Sequence, residues 1–545
     1  MNMWKDWARC GVGIWAALSL VACGGGGSGD PQEVGAASVV DSDFSAAGEP
    51  LQAAQWHLWA QGVNLPAYGA ALENTGQGVS VAVLDTAIAI DHPELRGRVA
   101  VFADFVDGDE DPSPNNTSTW HGTAVAGTIA AAARGPVVNE GGRGVAPLAQ
   151  LMAFRVVPDY GSDGAGATWR GLSEAARRGA RVINNSWTHV DGSSLTDADL
   201  DWQETLAAAM TRTTPPVVMF AAGNEAETND ATADLMRGEM SAWDSFTNSR
   251  HVITVGSTDT LGRAASYSET GANVLVAAPG GGRVQGALGF GGLVTTDLVG
   301  KAGAHRALSP EGDYLEGDEF VGTSGANAVA SGVVALMLQA NPNLGPREVA
   351  WILADTAVAV DCADGVCDAW LAPQPAALGV ARLFSHKYGF GRIDASAAVA
   401  RAQSMSPFGA LRSCRSGLMS LGGREVPEAG QALVSGFTAE AGVCPSVVER
   451  VEVVLKASPG ALSDASRYSG ELWVQLRSPQ DTLSTLTRPH ACGSRCGDLR
   501  DGFTFNSVRH MGEPAAGEWT LEVADGVSND TRALWDAWEV RLYGH

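Results

Sequence analysis

Four polar residues in this chain have the types that acyl transfer by a serine nucleophile requires. "FVGTSGANAVASG", residues 320–332, places Ser324 between two small residues. A serine hydroxyl is a weak nucleophile unless a nearby base takes its proton and an acid orients that base. His121, in "HGTAVAG", offers an imidazole, and Asp85, at the end of "VAVLD", offers a carboxylate. Asn224, at the end of "VVMFAAGN", offers a side-chain amide that can donate to a developing oxyanion.

Each of these four residues also has an ordinary structural explanation. Ser324 could cap a helix and His121 could simply begin one. Asp85 and Asn224 could be turn residues at strand ends. Their joint occurrence favours the chemical interpretation, because Asp…His…Ser is the chain order known for the triad of subtilisin.

The residues around these four predict a layered α/β domain. Four apolar runs read as buried strands, and three small-residue or amphipathic segments read as helices. Buried strands that alternate with helices indicate a parallel sheet covered on both faces, whose functional groups gather at the carboxyl ends of the strands. The predicted strands are 79–85, 181–186, 216–224 and 251–257, and the predicted helices are 122–133, 171–180 and 324 to about 340.

The pattern changes at about residue 403. "ERVEVVLKA", "GELWVQLRSP", "GEWTLEVAD" and "WDAWEVRLYG" alternate apolar and polar residues between Gly, Pro and Asp. Such alternation is typical of an antiparallel β-sandwich or jelly roll. The prediction is therefore an α/β domain over residues 49–402 followed by an all-β domain over residues 403–545.

The charge balance limits the class of partner. With 36 Lys and Arg against 61 Asp and Glu, the formal net charge of the 545 residues is −25. That argues against a nucleic-acid partner, because little in the chain would neutralise phosphates. The charge is compatible with positively charged substrates, although solubility is the simpler explanation.

The N-terminus predicts export. Lys5 and Arg9 precede an apolar run that is too short to span a bilayer, so residues 1–22 read as a signal peptide. The run ends in "LVAC", which resembles a bacterial lipobox, so Cys23 is the predicted lipidation site. Residues 23–48 would form a flexible tether. The chain is then expected in a bacterial cell envelope, touching the membrane only through its lipid, or released; an ordinary signal peptide cut nearby is the alternative.

Six further cysteines favour disulfides in an exported protein. Close spacing suggests Cys362–Cys367 and Cys492–Cys496, which leaves Cys414–Cys444. A zinc site is the alternative, but "CADGVC" and "CGSRC" lack nearby histidines at a suitable spacing.

Several longer motifs together resemble the subtilisin-like serine peptidases, and among them the kexin and furin proprotein convertases. "VAVLDTAIAIDHPEL", "HGTAVAG", "FAAGN" and "FVGTSGANAVASGVVALMLQANPNL" resemble the Asp, His, oxyanion and Ser motifs of that family. "QWHLW", "FTNSRHVITVGS" and "FSHKYGFGRIDASAAV" are similar to non-catalytic kexin segments. "GELWVQLRSPQDTLSTL" and "MGEPAAGEWTLEVAD" resemble the P domain that follows the catalytic domain of convertases. Ala87, Val125 and Ala328 depart from the family pattern, but none of them removes a reacting group.

The resemblance implies a calcium-stabilised serine endopeptidase that cleaves after Arg or Lys. Asp244, in "WDSFTNS", matches the acidic residue of the pocket for the P1 side chain, the residue before the cleaved bond. Asp191 lies near a second acidic position, although its loop is about one residue shorter. Ser186 and Trp187 would pair with the substrate backbone as an added strand.

The same resemblance implies two calcium sites, since carboxylate and carbonyl oxygens are the ligands that Ca²⁺ prefers. Glu49, Glu94 and Asn139 match one site. Asp191, Asp230 and Glu269 match another, close to the P1 pocket.

Two questions stay open at the level of sequence. The stretch between Cys23 and residue 49 is too short for the family's folded propeptide, so either a separate chaperone protein or the second domain would assist folding. A broad-specificity subtilase and a surface binding protein built on an inactive protease are the alternative functions. Intact Asp85, His121, Asn224 and Ser324 argue against the latter.

Overall fold

The computed structural model describes two regions that differ in secondary structure. The described residues are 32–33, 51, 54–65, 74–132, 141–158, 166–189, 194–196, 200–226, 238–282, 291–300, 302–304, 313–315, 319–361, 382–428, 431–460, 467–492, 496–529 and 531–545. The signal peptide and Cys23 lie outside them, as do Glu49, Asn139, Asp191, Asp230, Cys362 and Cys367.

The first region alternates strands and helices, as the sequence predicts. Its strands are β1 (Gln32–Glu33), β2 (Ser80–Asp85), β3 (Val99–Asp104), β4 (Gln150–Arg155), β5 (Val182–Asn185), β6 (Val217–Ala221), β7 (Val252–Thr258), β8 (Val274–Pro279), β9 (Thr295–Thr296) and β10 (Tyr314–Leu315). Its helices are α1 (His121–Ala130), α2 (Ala167–Arg177), α3 (Leu200–Met210), α4 (Thr323–Ala340), α5 (Pro346–Thr356) and α6 (Ala395–Ser404). The sequence patterns did not predict β1, β3, β4, β8, β9, β10, α3, α5 or α6. The four strands and three helices that they did predict have ends within a few residues of those observed.

Seven parallel strands form the central sheet in the order β3-β4-β2-β5-β6-β7-β8, and β1 pairs antiparallel with β3. Each central strand is buried on both faces. In β2, for example, Val81 and Val83 face the core under α1, α4, α5 and α6, while Ala82 and Leu84 face the core under α2 and α3. The parallel sheet covered by helices confirms the predicted fold class.

Helices α1 and α4 pack closely because both expose small residues to their neighbours. A Cβ on Gly332 of α4 would lie 2.5 Å from Cβ of Val145, and one on Gly127 of α1 would lie 2.0 Å from Oγ1 of Thr296. Both distances are far inside van der Waals contact, so only glycine fits. These glycines therefore allow α1 and α4 to approach the neighbouring segments closely.

The second region, here called the C-terminal sandwich, consists of two antiparallel sheets. One contains β11 (Arg412–Arg415), β12 (Met419–Glu425), β14 (Val448–Pro459), β17 (Phe503–Ser507) and β19 (Ala533–Gly544). The other contains β13 (Leu433–Ala439), β15 (Leu472–Arg477), β16 (Leu483–Thr487) and β18 (Gly517–Asp525). Buried Trp519, Trp535 and Trp538 fill the space between the sheets, as the alternating sequence pattern predicts.

Two of the three predicted disulfides are formed, Cys414–Cys444 and Cys492–Cys496. The sequence argument against zinc overlooked His490, which lies two residues before Cys492. Ligand atoms of His490, Cys492 and Cys496 lie within 4.8 Å of one another. The two sulfurs are bonded to each other, however, so they do not offer thiolates to a metal.

The two regions share a polar interface. Arg347 of α5 makes a 2.6 Å ion pair with Glu449 of β14. The Asn248 side chain donates to the carbonyl of Thr504 (2.6 Å) and accepts from the backbone N–H of Asn506 (2.9 Å).

Within the described residues, no helix is both long enough and apolar enough to cross a bilayer.

Candidate active site

The end of β2 and the first residue of α1 bring Asp85 and His121 together. Nδ1 of His121 lies 2.7 Å from Oδ1 of Asp85. The carboxylate is 1% exposed and also accepts the backbone N–H of Thr86 at 2.7 Å. When Nδ1–H donates to the carboxylate, Nε2 carries the lone pair of the neutral imidazole. The two residues thus have the arrangement of a base held by an acid.

The electrostatics of His121 suit a general base. Burial lowers the pKa of His121, but the negative charge of Asp85 and the hydrogen bond between them outweigh burial and raise it above its ordinary value. Asp85 thus stabilises the imidazolium that forms when His121 takes a proton.

Ser324 is the second residue of α4, at the carboxyl edge of the sheet. Its hydroxyl donates to the carbonyl of Ser186 at 2.9 Å, and the hydroxyl of Ser186 donates to the carbonyl of Ser324 at 3.0 Å. In the described part of the chain no hydrogen bond joins Ser324 to His121, as is common in catalytic sites without substrate. The ring of Phe320, four residues before Ser324 in the chain, lies 5.9 Å from the ring of His121.

Asn224 follows β6 and faces the start of α4. Its Oδ1 accepts the backbone N–H of Thr323 at 2.9 Å and the hydroxyl of Thr323 at 2.8 Å. With Oδ1 occupied by donors, Nδ2 is the end that is left to donate. The N–H of Ser324, in the first turn of α4, has no acceptor inside the helix. An amide N–H and a backbone N–H at the start of α4 have the composition of an oxyanion hole.

Asp244 is buried against His189, three residues after Ser186 in the chain. Its Oδ2 accepts the backbone N–H of His189 at 3.0 Å and its Oδ1 accepts that of Phe246 at 2.8 Å. The imidazole Nδ1 of His189 lies 3.8 Å from Oδ1. Burial raises the pKa of Asp244, while His189 and the two backbone donors oppose that rise. The sequence analysis did not single out His189, whose position two residues after Trp187 is the only signal for it.

The residues predicted to pair with the substrate backbone are Ser186 and Trp187. Ser186 follows β5 directly and contacts Ser324 through the two hydrogen bonds above. Trp187 is 6% exposed, and its indole N–H donates to the carbonyl of Leu84 at 3.0 Å. The side chain of Trp187 therefore belongs to the core beneath the site.

A comparison with protein families matches residues 76–391 to the Subtilase family. This match covers more than half of the chain and contains Asp85, His121, Asn224 and Ser324. The chain belongs to the subtilase family. Residues 461–542 of this subtilase match the Proprotein convertase P-domain, which identifies the C-terminal sandwich as a P-domain region.

Two curated relatives extend the match across both regions. The subtilase is 30% identical to the Aeromonas extracellular serine protease of Aeromonas sobria, over 89% of this chain and 85% of that protein. It is 27% identical to Furin-1 of Xenopus laevis, over 86% of this chain but only 55% of that protein. The chain is thus a serine endopeptidase of the subtilase family with furin-like relatives.

A solved structure shares the fold. The crystal structure of the Aeromonas sobria serine protease in complex with a chaperone superimposes with a TM-score of 0.74, at 24% identity, over 92% of this chain and 95% of that one. The likeness supports the two-region architecture of the subtilase.

Two predicted calcium ligands of the subtilase lie in the described residues. The Glu94 carboxylate is 1% exposed and accepts the hydroxyl of Tyr314 at 2.6 Å. The Glu269 carboxylate is 4% exposed and lies directly against Gly223, where a Cβ would fall 2.0 Å from Oε1. Buried carboxylates of this kind fit a hard cation. The other predicted ligands, Glu49, Asn139, Asp191 and Asp230, lie outside the described residues.

The raised pKa of His121 predicts the pH dependence of the peptidase. If His121 is the general base, it must be neutral to accept a proton, so kcat/KM should fall as the pH drops through its pKa. The midpoint of this acid limb is expected above 6.5, the ordinary value for histidine. Asp85→Asn should lower kcat by about 10⁴-fold and move the midpoint down, because the charge that stabilises the imidazolium is lost.

Asp91→Asn is the matched control for this experiment. It removes one negative charge at an exposed position six residues further along the chain, and it should leave the midpoint where it is. A midpoint at or below 6.5 in the wild type, measured from pH profiles of kcat/KM, would contradict this account.

Proposed function

We propose that Asp85, His121 and Ser324 are the catalytic triad of this subtilase and that Asn224 donates to the oxyanion. The observation that carries the proposal is the 2.7 Å hydrogen bond between His121 and a buried Asp85 at the carboxyl edge of the sheet, where Ser324 lies in the first turn of α4. A binding scaffold derived from a protease has no physical need for this arrangement.

The proposed reaction begins when the hydroxyl of Ser324 turns from Ser186 towards Nε2 of His121. Oγ of Ser324 attacks the substrate carbonyl carbon while Nε2 takes the hydroxyl proton. The carbonyl oxygen becomes an oxyanion that Nδ2 of Asn224 and the N–H of Ser324 stabilise. His121 then gives its proton to the leaving amine, and the peptide bond breaks to leave an acyl-enzyme. Water, activated by His121 in the same way, releases the acid product and restores Ser324.

We also propose that Asp244 makes the P1 pocket selective for Arg or Lys. Asp244 is a carboxylate with a side-chain exposure of 7%, and its two oxygens each accept a backbone N–H. A buried carboxylate that keeps accepting capacity can pair with a guanidinium or ammonium group and offset its desolvation. Asp191 is proposed as a second acidic residue of the pocket. Ser186 and Trp187 would align the substrate backbone as an extra strand.

Two peptides that differ only at P1 test this specificity. Citrulline has the shape of arginine without its charge, so the ratio of kcat/KM for Arg over citrulline measures charge recognition. Asp244→Asn should lower kcat/KM for the Arg peptide by roughly 30-fold or more, since losing one partner of a buried ion pair costs about 2 kcal/mol or more. The citrulline peptide should be cleaved at nearly the wild-type rate. Equal rates for both peptides in the wild type would favour the broad-specificity alternative.

We propose that Ca²⁺ stabilises the fold at two sites. Glu49, Glu94 and Asn139 would hold one ion, and Asp191, Asp230 and Glu269 the other. The burial of the Glu94 and Glu269 carboxylates supports this assignment, because carboxylate oxygens are ligands that Ca²⁺ prefers. The ions would have a structural role and take no part in the peptide hydrolysis.

Calcium should therefore raise the melting temperature of the protein. At a Ca²⁺ concentration 100 times Kd, one site contributes about 2.7 kcal/mol. Differential scanning fluorimetry with added Ca²⁺ or with EDTA should show a shift of several degrees. Glu94→Gln and Glu269→Gln should each reduce the shift, while Glu440→Gln, on an exposed turn of the C-terminal sandwich, should not. A wild-type protein that melts at one temperature in both buffers would contradict the proposal.

We propose that the protein is exported and anchored through a lipid on Cys23. The "LVAC" sequence after a short apolar run supports this, and a relative is an extracellular protease. Cys23→Ser should move the protein from the membrane fraction to the soluble fraction of the cell envelope or medium.

We further propose that folding uses a separate chaperone protein. The structure of the Aeromonas sobria serine protease with a chaperone supports this. Full activity of the mature chain, expressed without any partner, would remove the need for it.

A further inference from the structure

The segment that carries Asp244 is held between the two regions of the molecule. We call residues 243–245 the wall segment, because they place the proposed P1 carboxylate. On one side the wall segment pairs with Thr196, whose N–H donates to the carbonyl of Trp243 (2.8 Å) and whose carbonyl accepts the N–H of Ser245 (3.0 Å). The backbone on both sides of Asp244 is therefore fixed.

The side chain of Trp243 points away from the α/β region and into the C-terminal sandwich. It is 1% exposed and belongs to the hydrophobic core of that sandwich. Its indole N–H donates to the hydroxyl of Thr487 at 2.9 Å. Its ring stacks on the imidazole of His490, with centroids 3.7 Å apart and planes inclined by 28°. The residue next to the proposed P1 acid is thus anchored by another domain.

His490 is itself rigidly placed. Its backbone N–H donates to the carbonyl of Gly470 at 2.7 Å, and its Nδ1 lies 3.0 Å from the carbonyl of Arg488. The Cys492–Cys496 disulfide closes the loop that follows it.

Cys496 and Gly497 contact the segment that pairs with the wall segment. The carbonyl of Cys496 accepts the N–H of Leu195 at 3.2 Å, and Leu195 adjoins Thr196. Gly497 (φ +92°) packs so close that a Cβ there would lie 2.8 Å from Cβ of Leu195. Trp243 contacts His490, and Leu195 contacts Cys496 and Gly497. The C-terminal sandwich therefore supports both the wall segment and the segment that pairs with it.

We propose that His490 is a positioning residue for the P1 pocket, which holds Trp243 by stacking and thereby sets where the Asp244 carboxylate lies. The proposal rests on the proposed preference for basic P1 residues. An ion pair in a buried pocket depends steeply on the placement of its carboxylate, whereas a neutral P1 side chain gains little from it. Loosening the stack should therefore weaken recognition of a charged P1 residue and spare a neutral one.

The test measures kcat/KM for the Arg and citrulline peptides in His490→Ala and His490→Phe. The alanine variant removes the stacking partner, and its Arg-to-citrulline ratio should fall roughly tenfold, mainly through a higher KM for the Arg peptide, as expected when a binding group is misplaced by a fraction of an ångström. The phenylalanine variant keeps a flat ring against Trp243, and its ratio should stay within about threefold of the wild type.

Arg347→Met is the matched control, because it breaks the interdomain ion pair with Glu449 without touching the wall segment. It should lower the melting temperature but leave the ratio unchanged, which separates positioning of the pocket from general loosening of the domains. If His490→Ala does not fold, Thr487→Val removes only the hydrogen bond to the Trp243 indole, and its ratio should fall in the same direction by a smaller factor.

The failures can be told apart. A high ratio in the wild type that His490→Ala leaves intact, or that Arg347→Met lowers equally, overturns the positioning role alone. A wild-type ratio near one overturns the basic specificity, and the role of His490 with it.

Discussion

The backbone at Gly322 is the constraint on which the candidate active site depends. Its φ of +151° and ψ of +163° lie in a region that residues with a side chain rarely adopt. The N–H of Gly322 donates to the carbonyl of Gly280 at 3.0 Å, which ties the turn to the end of β8. The chain then enters α4 at Thr323, so Ser324 faces the carboxyl edge of the sheet. A residue with a Cβ at position 322 would strain this backbone and shift Ser324, the proposed nucleophile.

Thr323, the residue after this turn, holds the side chain of Asn224 in place. Its N–H and hydroxyl both bind Oδ1 of Asn224, and its hydroxyl also accepts the N–H of Gly223 at 3.3 Å. These contacts fix the orientation of the amide and leave Nδ2 as its donor. Thr323 therefore positions Asn224. The motif analysis did not identify it, because a threonine before a serine has no distinctive chemistry of its own.

The C-terminal sandwich is more than an appended module. Its residues surround the side chain of Trp243. Its hydrophobic core includes Met240, Trp243 and Ala272 of the α/β region. The Asn248 amide is satisfied by backbone groups of β17. The two regions of this subtilase therefore share buried contacts next to Asp244, the residue proposed for the P1 pocket.

The sequence by itself determined the family, the two-domain order and the sheet class, because these follow from local periodicity and from motifs of a few residues. It also placed Asp85, His121, Asn224 and Ser324 at the ends of their elements, since strand and helix ends are marked by adjacent residues. Only the tertiary structure decided which atoms meet. The Ser324 hydroxyl forms a hydrogen bond with Ser186, 138 residues away. Tyr314 forms one with Glu94, 220 residues away, and Thr487 forms one with Trp243, 244 residues away. Such contacts depend on how whole layers pack, and no short stretch of sequence encodes the distance between two layers.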